Sequence, residues 1–153
     1  MNNKVTIEAY QELLGTTLGP SSWIDIPQEK INRFADVTGD HQFIHVDVER
    51  ARKTPIGGTI AHGYLTLSLL PQMIYEVVPV IDGLEHVLNY GLDRLRFLCP
   101  VPAGARVRGR FTPTEFKQTQ PGQYQLLTAA EVEIDGYSKP ALVAELRAMA
   151  FVL

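Results

Sequence analysis

The stretch "TGDHQFIH", residues 38–45, sets a carboxylate, two imidazoles and an amide side by side. An aspartate and a histidine that share one water are suited to general acid–base chemistry near neutral pH, where imidazole can give or take a proton. Asp40 and His45 are that pair. In regular extended chain, residues five apart point to opposite faces, so their convergence requires an irregular loop. Otherwise Asp40 caps or decorates the loop and His45 makes a structural hydrogen bond. A metal site would need His41 and His45 as an i, i+4 pair on a helix, with further ligands. Gly39 before them, Phe43 and Ile44 between them, and no evident third ligand speak against it, which leaves His41 as an exposed loop residue.

A second stretch, "GGTIAHGYL", opens an apolar run. Gly63 stands where a buried helix would start, and the N–H of such a residue has no intrahelical acceptor, which suits it to an oxyanion or a polarised carbonyl. It could equally serve only close packing at the helix entry. His62 has an ordinary role available, satisfying nearby backbone groups. Arg106, Arg108 and Arg110 alternate in "RVRGR" and so share one strand face, a stripe that could meet phosphates but reads better as a solvated outer face. Cys99, beside Pro100 and without a neighbouring base, reads as a packed thiol. No phosphate loop, paired metal signature or serine elbow is present.

Helices precede strands along the chain. A short helix is expected near residues 5–14, and "SSWIDIP" reads as a strand running into a turn. Pro27 occupies a first helical position, with Glu29 in the first turn, and Ile31, Phe34, Ala35 and Thr38 mark one buried helical face ended by Gly39. Asp47 can cap a helix reaching about Lys53, because Pro55 disfavours helical geometry at Thr54. From Ala61 to Val78 apolar residues recur nearly all round, predicting a helix buried on most sides and kinked or broken by Pro71.

The second half alternates with period two. Tyr124, Leu126, Thr128, Ala130, Val132 and Ile134 share one face, and Pro140, Leu142, Ala144, Leu146, Ala148, Ala150 and Val152 another, whose small residues would let a helix come close. "HVLNYGLDRLRFL" and "ARVRGRFTPTEF" are expected to complete an antiparallel meander, with breaks at "CPVPAG", "TQPG" and "DGYSKP". Long strands plus one apolar helix imply an α+β arrangement, a curved sheet wrapped around that helix.

The chain has 153 residues, which fits a single domain over 1–153, and its 45% hydrophobic and 20% charged content is globular. A net charge of -3 gives no reason to expect nucleic acid. One cysteine excludes an intrachain disulfide, and a cytoplasmic setting is the expectation. The opening "MNNKVTIEAYQELLGTTLG" lacks signal-peptide character, and the longest apolar run carries His62, Gln72, Glu76 and Pro71, so no membrane span is expected.

The run "FADVTGDHQFIHVDVERARKTPIGGTIAHGYLTLSLLP", residues 34–71, resembles the hydratase-2 motif of the MaoC-like dehydratases: a T/S-G-D-x-N-P-I/L-H core, a glycine-containing loop and an A/V-H-G helix start. "NYGLDRLRFLCPVPAGARVRGR" resembles the strand and turn that follow, so the likeness covers roughly residues 22–152. It implies a hot-dog fold, a long helix wrapped by an antiparallel sheet, with an overhanging loop-helix segment that carries the catalytic pair and with two subunits joined through their sheets as a homodimer. It implies (R)-specific hydration of trans-2-enoyl-CoA to (R)-3-hydroxyacyl-CoA, or the reverse dehydration, with Asp40 and His45 as the catalytic dyad and the Gly63 amide holding the thioester carbonyl. No cofactor is then required, coenzyme A or an acyl-carrier protein being part of the substrate. Gln42, Phe43, His62 and Leu65 fall among the expected substrate-binding positions, and Leu69, Pro71 and Met73 are further tunnel candidates. Gln42 and Phe43 replace the usual asparagine and proline, a departure shared with nodulation-protein-N-like relatives. A hot-dog thioesterase or a non-catalytic acyl-thioester-binding subunit are the alternatives.

Overall fold

The structure, a computed structural model, describes residues 4–153; the first three residues of the expected domain lie outside that range. Strand β1 (Lys4–Val5) leads into α1 (Ile7–Glu12), whose start is fixed by the Thr6 hydroxyl accepting from the Ala9 amide. Strand β2 (Ile24–Asp25) precedes α2 (Gln28–Thr38). Pro27, expected as its first residue, is instead its N-cap, with φ -69° and ψ 158°. Ile31 and Ala35 are buried and Phe34 half-buried, whereas Thr38 is exposed and returns its hydroxyl to the Phe34 carbonyl. Gly39, at φ 78°, ends the helix in the left-handed conformation. Then come α3 (Phe43–Val46) and α4 (Val48–Arg52), the latter capped by the Asp47 carboxylate accepting from the Arg50 amide at 2.9 Å.

The apolar run forms α5 (Gly63–Ser68) and α6 (Leu70–Val77), interrupted at Leu69 two residues before Pro71, whose ring nitrogen has no hydrogen to donate. The expectation of burial on most sides does not hold. Leu65, Leu70 and Met73 face the sheet, but Tyr64 and Tyr75 are each 67% exposed, because the sheet curls around one side of the helix only.

Strand β3 (Val80–Ile81) pairs in parallel with β1, and four long strands follow: β4 (Leu84–Phe97), β5 (Arg106–Gln120), β6 (Gln123–Ile134) and β7 (Leu142–Val152). The five-stranded sheet runs β2-β5-β6-β7-β4 with antiparallel neighbours. Only β5, β6 and β7 form a meander. β4 pairs with β7 at the far edge, not with β5, so the link between β4 and β5 crosses the sheet's end. Hydrogen bonds from Ala61 to the Val101 carbonyl (2.8 Å), from Ala103 to Thr59 (2.9 Å) and from Leu98 to Ala141 (2.8 Å) fix that crossing. It therefore runs alongside the segment that enters α5.

The inner face follows the alternation in the sequence. Val107, Phe111, Ala130, Val132, Ile134, Leu142 and Ala144 are buried under the helix. Gly109 sits among them because a Cβ there would lie 2.9 Å from the Met73 sulfur and 2.8 Å from the Phe111 ring. That approach lets α6 settle onto β5, and the result is the sheet curled around a helix that a hot-dog fold implies.

Candidate active site

Three short elements converge in front of α5. The αL turn at Gly39 lifts Asp40 off the end of α2, and the single turn of α3 carries His45 inward. That irregular path defeats the opposite-face geometry of extended chain. Ligating atoms of Asp40, His45 and His62 all lie within 4.8 Å of one another.

His45 is 7% exposed, and its Nδ1 stands 2.7 Å from the Ile60 carbonyl. A carbonyl only accepts, so the Nδ1 hydrogen is committed there and Nε2 is left as the basic nitrogen. The His45 carbonyl accepts from Gln28 Nε2 at 2.7 Å, while Gln28 Oε1 accepts from the Thr59 hydroxyl. Gln28 thus clamps α2, α3 and the entry to α5 together. Gln28, Thr59 and Ile60 carry no motif of their own and were not expected at the site.

Asp40 is more open, its side chain 54% exposed. Its Oδ1 accepts from the Gln42 amide at 3.3 Å, and its Oδ2 stands 4.0 Å from His62 Nε2. Gln42 is exposed and caps α3; Phe43 is half-buried beneath the Arg50 guanidinium, 3.9 Å from the ring centre. His62 is 3% exposed and stacks on His45, with centroids 3.8 Å apart and an interplanar angle of 25°. One nitrogen of each ring is committed to a main-chain carbonyl, His45 Nδ1 to Ile60 and His62 Nε2 to Asp40, so each ring has a single nitrogen left to offer a metal. His41 is not paired with His45: it is exposed and bonded to Asp36 at 2.9 Å, which raises its pKa above the ordinary histidine value.

Gly63 opens α5, and the ring of Phe97 from β4 lies directly over it. Leu65 and Met73 are buried in the core. An apolar groove of about 730 Å³ begins one helical turn beyond Gly63, lined by Leu67, Leu70, Pro71 and Ile74 against Leu126 and Leu146; of the tunnel candidates only Pro71 lines it. The arginine stripe is neutralised rather than open to phosphate: Arg106 pairs with Asp135 at 2.6 Å, and Arg108 and Arg110 with Glu133 at 2.6 and 2.5 Å. Cys99 is half-buried and packed against the core.

Similarity to known proteins agrees with this layout. The family model "MaoC like domain" matches residues 9–134. The chain is 47% identical over 143 residues to 3-hydroxyacyl-thioester dehydratase Z of Mycobacterium tuberculosis, covering 92% of this chain and 94% of that protein. It is 52% identical over 134 residues to Nodulation protein N of Rhizobium leguminosarum bv. viciae, covering 86% and 82%. The solved structure of R-hydratase PhaJ1 from Pseudomonas aeruginosa in the unliganded form superposes with a TM-score of 0.73 at 26% identity, over 94% of this chain and 86% of the other. With a hot-dog fold, a motif in the family's order and a match along most of its length, the chain belongs to the MaoC-like dehydratase family of hydratases and dehydratases.

Proposed function

We propose that the chain catalyses (R)-specific hydration of trans-2-enoyl-CoA to (R)-3-hydroxyacyl-CoA, or the reverse dehydration. The observation that carries the reading is that a carboxylate oxygen of Asp40 and a ring nitrogen of His45 lie within 4.8 Å of each other, a separation that one water can bridge. Held there, the water loses a proton to the dyad as its oxygen attacks C3. The electron pair of the double bond moves toward the thioester carbonyl, and the enolate-like oxygen is met by the Gly63 amide. A proton returned from the dyad to C2 restores the carbonyl and completes addition of H and OH. No electron is gained or lost, so the scheme requires no redox cofactor, and coenzyme A enters with the substrate.

The apolar groove beyond Gly63 is the candidate seat for the acyl chain. Two copies are proposed to join through β4, which closes one end of the sheet, pairs with β7 alone among the described residues and exposes Val87, Leu88, Tyr90 and Leu92. No helix among the described residues is long and apolar enough to cross a membrane. The test is to supply trans-2-enoyl-CoA of graded chain length, follow loss of the conjugated enoyl absorbance and resolve the product's stereochemistry. (R)-3-hydroxyacyl-CoA is expected. Free thiol without a 3-hydroxy product would make the protein a thioesterase, and binding without turnover would make it an acyl-thioester-binding subunit.

A further inference from the structure

His62 was expected to touch substrate, yet it is buried and its hydrogen bonds run into the protein. We infer that His62 is a positioning residue that holds Asp40 and His45 in their working geometry, an inference that rests on the dyad reading above. It is the N-cap of α5: its carbonyl accepts from the amides of Leu65 (3.1 Å) and Thr66 (3.3 Å), so its main chain starts the helix that presents Gly63. The ring turns inward between Phe34 of α2, at 5.0 Å, and the face of His45, at 3.8 Å. Its Nε2 stands 2.9 Å from the main-chain carbonyl of Asp40. That oxygen only accepts, so Nε2 carries the hydrogen.

The second nitrogen supports the same state. His62 Nδ1 is buried without a partner. In a neutral ring protonated at Nε2 it is a bare lone pair, which is less costly to leave unpaired than an N–H or a charge in the same place. The ring is therefore arranged as a one-ended strut. Its working end matters because the other hydrogen bonds at Asp40 are long: 3.5 Å from the Asp40 amide to the Thr38 hydroxyl and 3.3 Å from the Gln42 amide to Oδ1. Without His62, the residue after the αL turn is held by those two contacts alone, and a shift of about 1 Å in a catalytic group can lower turnover roughly a hundredfold.

The experiment compares His62→Gln, His62→Asn and His62→Phe with trans-2-butenoyl-CoA as substrate. A glutamine amide reaches the Nε2 position and can still donate to Asp40; an asparagine amide reaches only the Nδ1 position; phenylalanine keeps the stacking surface without the donor. His62→Gln is expected within about fivefold of the parent kcat. His62→Asn and His62→Phe are expected to fall about 10- to 100-fold in kcat with KM changed less than about threefold, the pattern of a misplaced dyad rather than lost binding. The glutamine and asparagine variants differ by one methylene, so the comparison survives if the phenylalanine variant fails to fold. Parent-like kcat in folded His62→Asn, or equal losses in His62→Gln and His62→Asn, overturns the inference. Asp40→Asn and His45→Gln run alongside: if they too keep parent activity, the dyad reading itself has failed, whereas their loss with an active His62→Asn refutes only the strut.

Discussion

The ring of Phe97 covers Gly63 so closely that a Cβ added to the glycine would lie 2.9 Å from the ring's Cε1 and 3.0 Å from Cδ1. Phe97 is 46% exposed, so the ring can swing outward and the clash need not unfold the protein. Gly63→Ala is expected to cost about 1 kcal/mol of stability, at the low end of overpacking. The larger effect is expected on turnover, about 10²-fold, because the added methyl and the displaced ring crowd the Gly63 amide proposed to meet the thioester oxygen. Phe97→Leu in the Gly63→Ala background should recover part of both losses. Thermal melts and kcat of the two single variants and the double variant decide it; additive losses would show that the ring is not the cause.

Asp40→Asn and His45→Gln separate chemistry from stability. Each should lower hydration by ~10² to 10⁴-fold, the usual contribution of a general acid or base. The Asp40 side chain is exposed and its hydrogen bond, from the Gln42 amide, is long, so Asp40→Asn should melt within about 0.5 kcal/mol of the parent. His45 is buried and donates to Ile60, so His45→Gln should lose about 1–2 kcal/mol as well. With both acting on one water, as proposed, the double variant should be little slower than the worse single variant. Parent-like hydration in both folded single variants would remove the dyad from the mechanism.

What could be read from the sequence was local. Gly39 as a helix stop, Asp47 as a cap and the alternating faces of β6 and β7 follow from residue type and spacing within one element. The convergence of Asp40 and His45 came from resemblance to a family, since spacing alone argued for opposite faces. The bonds that hold the site join residues far apart in sequence: Gln28 with Thr59, Gln28 with His45, His62 with Asp40. None has a periodic signature. Likewise β4 has the composition of a meander strand, but its pairing with β7 is set by a crossing link that strand propensity cannot report. The stripe of arginines was visible, while its neutralisation depended on register, which places Glu133 opposite Arg108 on the neighbouring strand.

Phe43 departs from the commoner proline of the family motif, and the backbone is already suited to that proline. It is the first residue of α3, where the amide needs no intrahelical acceptor, and Gln42 before it has φ -56° and ψ 135°, a conformation that proline accepts in its predecessor. Phe43→Pro should therefore fold, losing about 0.5–1 kcal/mol with the Arg50 cation–π contact. Its effect is expected in KM, because the half-buried ring, proposed to meet substrate, carries no acid–base group. A kinetic series over acyl lengths checks this; a selective collapse of kcat with KM unchanged would give Phe43 a role in the chemical step.

Glu133 gives the fold a pH-dependent contribution on the outer face of the sheet. Burial opposes its ionisation, but the Arg110 and Arg108 guanidinium groups outweigh that and hold its carboxyl below the usual glutamate value. A carboxyl with a lowered folded-state pKa adds stability above its unfolded value of about 4.3, and this is lost as pH falls through the folded value. The side chains involved are roughly a quarter to a third exposed, so solvent limits the contribution to about 1 kcal/mol. Glu133→Gln should melt lower than the parent at pH 7 and approach it as pH falls from the unfolded value through the lower folded one. Equal melting temperatures at pH 7 would show that the two ion pairs contribute nothing net.

The β4 edge accounts for the most apolar exposure, and a second copy is the proposed cover. Leu88 and Tyr90 lie exposed on a strand whose outer edge has no partner among the described residues. Unpaired edges of this length invite strand addition; here the register shifts at Asn89/Gly91 and Leu92/Arg94 and the charges of Asp93, Arg94 and Arg96 guard the second half of β4 and leave residues 87–90 as the place for it. Replacing both residues by lysine puts two charges where an apolar contact is proposed, and like charges meeting across a twofold axis would oppose reassociation. Light scattering should report the mass of two chains for the parent and of one for Leu88→Lys/Tyr90→Lys. The dyad is built within one chain, but Tyr90 also lines the apolar groove, so the variant should keep hydration of the shortest enoyl chain, weaken on longer ones and melt lower than the parent. A parent that scatters as a single chain at micromolar concentration would show that the exposed edge is tolerated in the free protein, and the dimer proposal would fall.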